Sequence, residues 1–220
     1  LLSNIYLHEV LDVWFEKVYR KSCTGYARII RYADDFVVCF QYEADAARFK
    51  EELGKRLGRY GLEVEPTKTK MMEFGRLAVQ QAKSKGEKAE TFDFLGLTHY
   101  CGTRKDGKGF RMKRVTARKK FIAKLKIFKE WLMKARILKT KELWQTAKAR
   151  LRGHNNYYGV TDNLRGIMRF GIEVEKLLFK WLNRRGKKNC LSWEKFNEML
   201  KRFPLPKPRI MVSMFGFSVN

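Results

Sequence analysis

Tyr32-Ala33-Asp34-Asp35 sits between two apolar runs, Ala27-Arg28-Ile29-Ile30 before it and Phe36-Val37-Val38-Cys39-Phe40 after it. Short runs rich in β-branched and aromatic residues on either side of a tight polar pair predict a β-hairpin, here over about residues 26–41. Such a hairpin carries two adjacent carboxylates at its tip. Paired acids on a rigid turn suit Mg²⁺, a hard cation usually held by one or two carboxylates together with phosphates. Two-metal phosphoryl transfer needs ligands of this kind around ions about 3.5–4 Å apart. Most Asp-Asp pairs are merely solvated turns. The apolar flanks and the tyrosine two positions ahead of Asp34 set this one apart.

The surrounding pattern predicts an α+β unit. Residues 3–20 read as a helix, with Ile5, His8, Leu11, Val13, Phe15 and Val18 near helical spacing. A second helix is predicted over 43–60, with Ala46, Ala47, Phe49, Leu53 and Leu57 as its inner stripe and Gly61 as its C-terminal cap. Leu62 to Val64 reads as a short strand, and Lys68 to Phe74, after a turn at Pro66-Thr67, as another. The polar, glycine-punctuated residues 75–90 read as a loop or a mobile hairpin. Thr91 to Tyr100 reads as a strand pair bent at Gly96, with the helices of this unit on one face of its sheet. From residue 116 onward the pattern is helical, over 116–135, 139–158 and 166–185 with a shorter helix at 192–202, and the simplest architecture is an all-α, three-helix basic bundle. Pro204, Pro206 and Pro208 then predict an extended tail. The expected divisions are therefore 1–100, a linker or hairpin at 101–115, a helical domain at 116–203 and a tail at 204–220.

Charge is segregated along the chain. Residues 1–99 carry 16 Lys and Arg against 15 Asp and Glu, so +24 of the net +25 lies in residues 100–220. That asymmetry points to a polyanion partner. Aromatics interleaved with the cations favour nucleic acid over a membrane surface, and no run of 18 apolar residues offers a membrane span. Cys23, Cys39, Cys101 and Cys190 are far apart, and His8, His99 and His154 form no ligand cluster, which speaks against zinc and for reduced thiols in a cytoplasmic protein. The chain opens on Leu1-Leu2-Ser3-Asn4 inside an apolar helical pattern, as a fragment of a longer protein would.

Five motifs in order carry a family resemblance. Leu1 to Leu7 (LLSNIYL), Arg31 to Asp35 (RYADD), Gly61 to Lys70 (GLEVEPTKTK), Phe92 to Tyr100 (FDFLGLTHY), and Leu151 to Val160 (LRGHNNYYGV) with Phe179 to Arg185 (FKWLNRR) resemble the palm and thumb of a bacterial, endonuclease-lacking group II intron reverse transcriptase, or maturase. The resemblance covers essentially the whole chain. It implies a partial polymerase palm followed by a basic thumb, or X, domain. Asp34 would ligate the catalytic Mg²⁺ ions, two in the complete enzyme, with Asp35 as a second carboxylate and Tyr32 near the primer end and the incoming nucleotide. Lys68 would stabilise or protonate the departing pyrophosphate, with Lys70 as its competitor for that role. Phe94-Leu95-Gly96 would let backbone approach the primer strand.

Arg150, Arg152, His154, Asn155, Asn156, Tyr157 and Tyr158 mix charge, amides and stackable rings suited to RNA, with one of the two tyrosines expected in the core. Basic residues at 111, 113, 114, 118, 119 and 120, among them Arg114, Arg118 and Lys119, would neutralise phosphates. The implied partners are intron RNA, a DNA primer or target, and dNTPs. A further carboxylate and the fingers region lie upstream in this family, so these 220 residues alone are not expected to polymerise. Two rivals stand beside this reading: an RNA-binding maturase without polymerase activity, and a related polymerase of a defence or CRISPR-associated system.

Overall fold

Aromatic and aliphatic residues four or five apart build the first element. In the computed structural model, which describes residues 2–104, 107, 109–184 and 191–214, residues 2–22 run as one helical rod. Its middle is wound as π-helix over His8–Val13 and Phe15–Tyr19. The wider turn changes which side chains face inward. Val10, Leu11, Trp14, Phe15 and Tyr19 are buried, whereas Ile5 and Val18 of the expected stripe are exposed. Leu1, Arg185 and Cys190 lie outside the described residues.

The contacts divide this α+β chain into two compact units, Leu1–Glu73 and Phe74–Asn220. In the first, strands β1 (Ala27–Tyr32) and β2 (Asp35–Phe40) pair antiparallel, as the sequence predicts. The Glu43–Gly58 helix follows and ends in a Schellman turn. Gly61 adopts φ 68°, its N–H bonds to the Gly58 carbonyl at 3.2 Å, and the Leu62 N–H bonds to the Leu57 carbonyl at 3.0 Å. The core gathers Trp14, Phe15, Tyr19, Phe40 and Phe49 into mutual ring contacts, Tyr19 and Phe49 at 5.0 Å between centroids. Asp45, also buried, accepts bonds from the backbone of Thr24 and Gly25 and so fixes the approach to β1.

Two expectations need correcting. Leu62 and Val64 alternate inward as a strand would, and both pack on this core, but neither 62–64 nor 68–74 forms a strand, because no described strand offers a ladder to either. Residues 75–90 are not a loop: Arg76–Ser84 is a helix. Its glycines are its ends. Gly75 precedes the first turn at φ 122°, and Gly86, at φ 71°, closes the last with Gly86 N–H to Lys83 carbonyl and Glu87 N–H to Ala82 carbonyl. Good helix formers lie between them, and Ala78 is buried.

In the second unit β3 (Phe92–Phe94), β4 (Leu97–Thr103) and β5 (Phe110–Thr116) form an antiparallel sheet in that order. Helices Arg118–Ala135, Thr140–Tyr158, Leu164–Leu182 and Trp193–Arg202 follow close to their expected bounds. Phe128, Leu132, Leu143, Ala147, Leu151 and Phe196 fill their core together with Val174 and Leu178. The tail runs back beside the connection between the second and third of these helices, with Met211 N–H to Gly159 carbonyl at 2.6 Å and Thr161 N–H to Val212 carbonyl at 3.2 Å. Leu178 has no exposed surface. Leu178→Ala is expected to cost about 2–5 kcal/mol in urea denaturation, while Ile137→Ala, at a side chain 87% exposed, should stay within about 0.5 kcal/mol.

Candidate functional site

The register of the first hairpin pairs Ala27 with Phe40 and runs to Tyr32 opposite Asp35, leaving Ala33 and Asp34 as the two turn residues. Ala33 is left-handed, at φ 56°. Without glycine that conformation costs about 1–2 kcal/mol. Asp34 and Asp35 are exposed, and among the described residues neither carboxylate takes a hydrogen bond or an ion pair. Tyr32 is 66% exposed. Two uncompensated carboxylates on a short rigid turn fit a hard cation whose other positions go to water and phosphate. Among the described residues no group of three or more His, Cys, Asp or Glu side chains could form a complete metal cage.

Arg31 and Asp12 are the residues that sequence reasoning missed. Arg31 Nε donates to Asp12 Oδ1 at 2.8 Å and Nη2 to Asp12 Oδ2 at 2.6 Å, and Nη1 donates to the Ala33 carbonyl at 2.7 Å. The signal was present. Residues 27, 29 and 31 share one face of β1, and a cation in an inward register needs an anion behind it. The Arg31 bonds hold the Asp12 carboxyl below the usual carboxylate range against the opposing effect of burial, with His8 adding a contact at 3.3 Å. Lys68 belongs to the same unit but sits on an exposed turn after Pro66, its N–H bonded to the Glu65 carbonyl at 3.2 Å.

In the second unit the predicted hairpin turn and the predicted helix end come together. Leu95 and Gly96 turn the chain at φ 51° and 75°. Tyr157 Oη donates to the Leu95 carbonyl at 3.0 Å, and Tyr158 is buried against the turn, where a Cβ on Gly96 would stand 3.0 Å from the Tyr158 hydroxyl. Gly96 is thus required both by its backbone and by that close approach. Fully buried Asn163 secures the neighbouring strand end. Its Oδ1 accepts from Thr116 N–H at 2.9 Å, and its Nδ2 donates to Thr116 Oγ1 and to the Tyr158 carbonyl, both at 2.8 Å. Phe94 is half-buried beside His99, and His99 stacks on Phe92 at 4.8 Å.

The basic positions divide into committed and available groups. Arg111 pairs with Asp162 at 2.8 Å, and Arg114, opposite His99 in the ladder, is half-buried and its pKa lowered by desolvation. Arg150 and Arg152 are both exposed, and Arg150 lies over the Trp131 ring at 4.8 Å. Arg118, Lys119 and Lys120 are exposed in the first turn of their helix, which has no acid there. The positive end of the helix dipole disfavours cations, by about 0.3–1 kcal/mol each. Two expected surface contacts need correcting. His154 and Asn155 are buried: the imidazole stacks on Phe170 with centroids 3.5 Å apart, and Asn155 Nδ2 donates to the Pro206 carbonyl at 3.4 Å. Both face inward because they fall on the same stripe as Leu151 and Tyr158. Asn156 and Tyr157 remain exposed on the same helix end.

Residues 1–99 match the family model for reverse transcriptase (RNA-dependent DNA polymerase). The matched stretch contains the whole acid hairpin and ends at His99 in β4. It supports reverse transcriptase chemistry in general, with nucleic acid and dNTPs as substrates and divalent metal as the usual cofactor of the family. No curated protein matches the chain. No described helix is long and apolar enough to cross a membrane.

Burial, with a smaller contribution from Lys124, lowers the His154 pKa from 6.5 to about 4. The unfolded chain therefore binds this proton first as pH falls. The stability due to neutral His154 is complete above pH 6.5 and is lost between there and about pH 4, on the order of 3 kcal/mol in all. Melting temperatures across that range should fall less steeply in His154→Phe, which keeps a ring on Phe170.

Proposed function

We propose that this chain is the palm-to-thumb portion of a group II intron reverse transcriptase, which extends a DNA primer on intron RNA and binds that RNA to assist its splicing. The observation that carries the reading is the acid hairpin: two exposed carboxylates without partners among the described residues, within the stretch that matches the reverse transcriptase model. In this reading Asp34 and Asp35 hold Mg²⁺ at the primer end, and Lys68 balances charge on the departing pyrophosphate. Bound Mg²⁺ supplies Lewis-acid activation of the primer hydroxyl and neutralises phosphate charge. Tyr32 faces the nucleotide, and the Phe94-Leu95-Gly96 turn meets the primer backbone. The protein acts in the cytoplasm, where intron RNA is made.

The segment after residue 99 supports the RNA-binding half. It carries +24. Three of its cations, Arg118, Lys119 and Lys120, stand at a helix N-terminus that only an anion would favour. Arg152, Asn156 and the exposed ring face of Tyr157 add contacts of the kind single-stranded RNA accepts, and Arg114 lends a partly desolvated guanidinium.

Primer extension on an RNA template with Mg²⁺ tests the first half, comparing this chain with a version extended upstream by the parent sequence. Activity is expected only in the extended form, and Asp34→Ala in that form should abolish it. Retention of activity by Asp34→Ala would overturn the assignment. For the second half, the Arg118→Ala/Lys119→Ala/Lys120→Ala variant should bind intron RNA more weakly. Its slope of log K against log salt concentration should be shallower by about 2, at roughly 0.7 per single-strand phosphate contact.

A further inference from the structure

We propose that Arg31 is the positioning residue of the acid hairpin. Through the Ala33 carbonyl and Asp12 it sets the direction in which Asp34 and Asp35 point. The inference rests on the reading of those aspartates as cation ligands.

Ala27, Ile29 and Arg31 share the face of β1 that packs on the helix of residues 2–22. The Arg31 side chain is only 12% exposed there, and that of Asp12 is 23% exposed. A guanidinium in that position is costly unless paired. Asp12 pairs with it as a fork, Nε to Oδ1 at 2.8 Å and Nη2 to Oδ2 at 2.6 Å. Two parallel bonds fix the plane of the guanidinium as well as its place. The remaining nitrogen, Nη1, then reaches the Ala33 carbonyl at 2.7 Å and Asn4 Oδ1 at 3.3 Å.

That carbonyl belongs to the peptide linking Ala33 to Asp34. Rotation of this peptide out of the left-handed turn would break the Nη1 bond, so the helix holds the turn through Arg31. The turn needs holding, because Ala33 sits at φ 56° without being glycine. A lysine offers one ammonium and cannot make the fork and the carbonyl bond together.

A simpler role, charge balance, predicts the opposite effect on cation binding. Removing a positive charge beside two carboxylates should tighten their hold on a divalent cation. Removing a positioning group should loosen it. The sign of the change therefore separates the two roles.

The test uses the 220-residue chain, with Mn²⁺ as probe and backbone amide NMR as readout. Amide exchange at Ala33, Asp34 and Asp35 reports the order of the turn without any metal. Paramagnetic broadening of the Asp34 and Asp35 amides reports Mn²⁺ affinity. In Arg31→Gln, and equally in Arg31→Lys, we expect faster exchange at these amides alone and Mn²⁺ binding weakened about fivefold, the size of one net hydrogen bond. Unchanged exchange, or Mn²⁺ binding equal to or tighter than that of the unsubstituted chain, overturns the positioning role. Should the Arg31 variants fail to fold, Asp12→Asn is read by amide exchange alone, because loss of its charge weakens cation binding in either role: faster exchange at the three amides is expected, and unchanged exchange overturns the positioning role. Absence of Mn²⁺ broadening in the unsubstituted chain overturns the cation-ligand reading instead, while the exchange data still decide whether Arg31 holds the turn.

Discussion

The β1–β2 and β3–β4 hairpins each turn through a residue that is left-handed without being glycine, and in each a side chain donates a hydrogen bond to that residue's carbonyl. At Ala33 the donor is Arg31, braced by Asp12, and at Leu95 it is Tyr157, on a helix anchored by Tyr158 and Asn163. A turn of this kind costs about 1–2 kcal/mol by itself. A net hydrogen bond returns a comparable amount. Both turns therefore depend on a helix packed beside them, through Asp12 at the first and Tyr157 at the second, as well as on their own residues. Both also carry the residues to which the function is assigned.

Electrostatics divides the chain in a second way. The near-neutral first part leaves its two exposed acids uncompensated, although an inward arginine lies in the same hairpin and spends its charge on Asp12. The later part gathers cations on exposed helix faces, including a helix start where the dipole opposes them. Neither arrangement favours stability. Each becomes favourable with a ligand of opposite charge, a cation at the acids and a polyanion at the bases.

Much of the fold was legible in the residues. The β1–β2 hairpin follows from apolar runs on either side of a polar turn, the Gly61 cap from a glycine at a helix end, and the bounds of the four basic helices from a period of 3.6. Gly75 and Gly86 misled because glycine marks a helix end as readily as a loop, and only the hydrogen bonds to Lys83 and Ala82 tell which. Leu62 and Val64 have the alternation of a strand, but a strand exists only where another chain segment completes its ladder. The first helix shifted its buried stripe because π-winding, which no local propensity announces, rotates each successive side chain.

The candidate site divides along the same line. Sequence alone determined that a carboxylate pair would stand on a tight hairpin and that a basic, aromatic helical segment would follow, because turn chemistry, side-chain period and charge are local properties. Only the tertiary structure decided that His154 and Asn155 lie inside while Tyr157 grips the second turn, and that Arg31 faces Asp12 rather than water. The physical reason is that burial and pairing depend on neighbours far apart in the chain, with a sequence separation of 19 for Asp12 and Arg31 and of 62 for Leu95 and Tyr157.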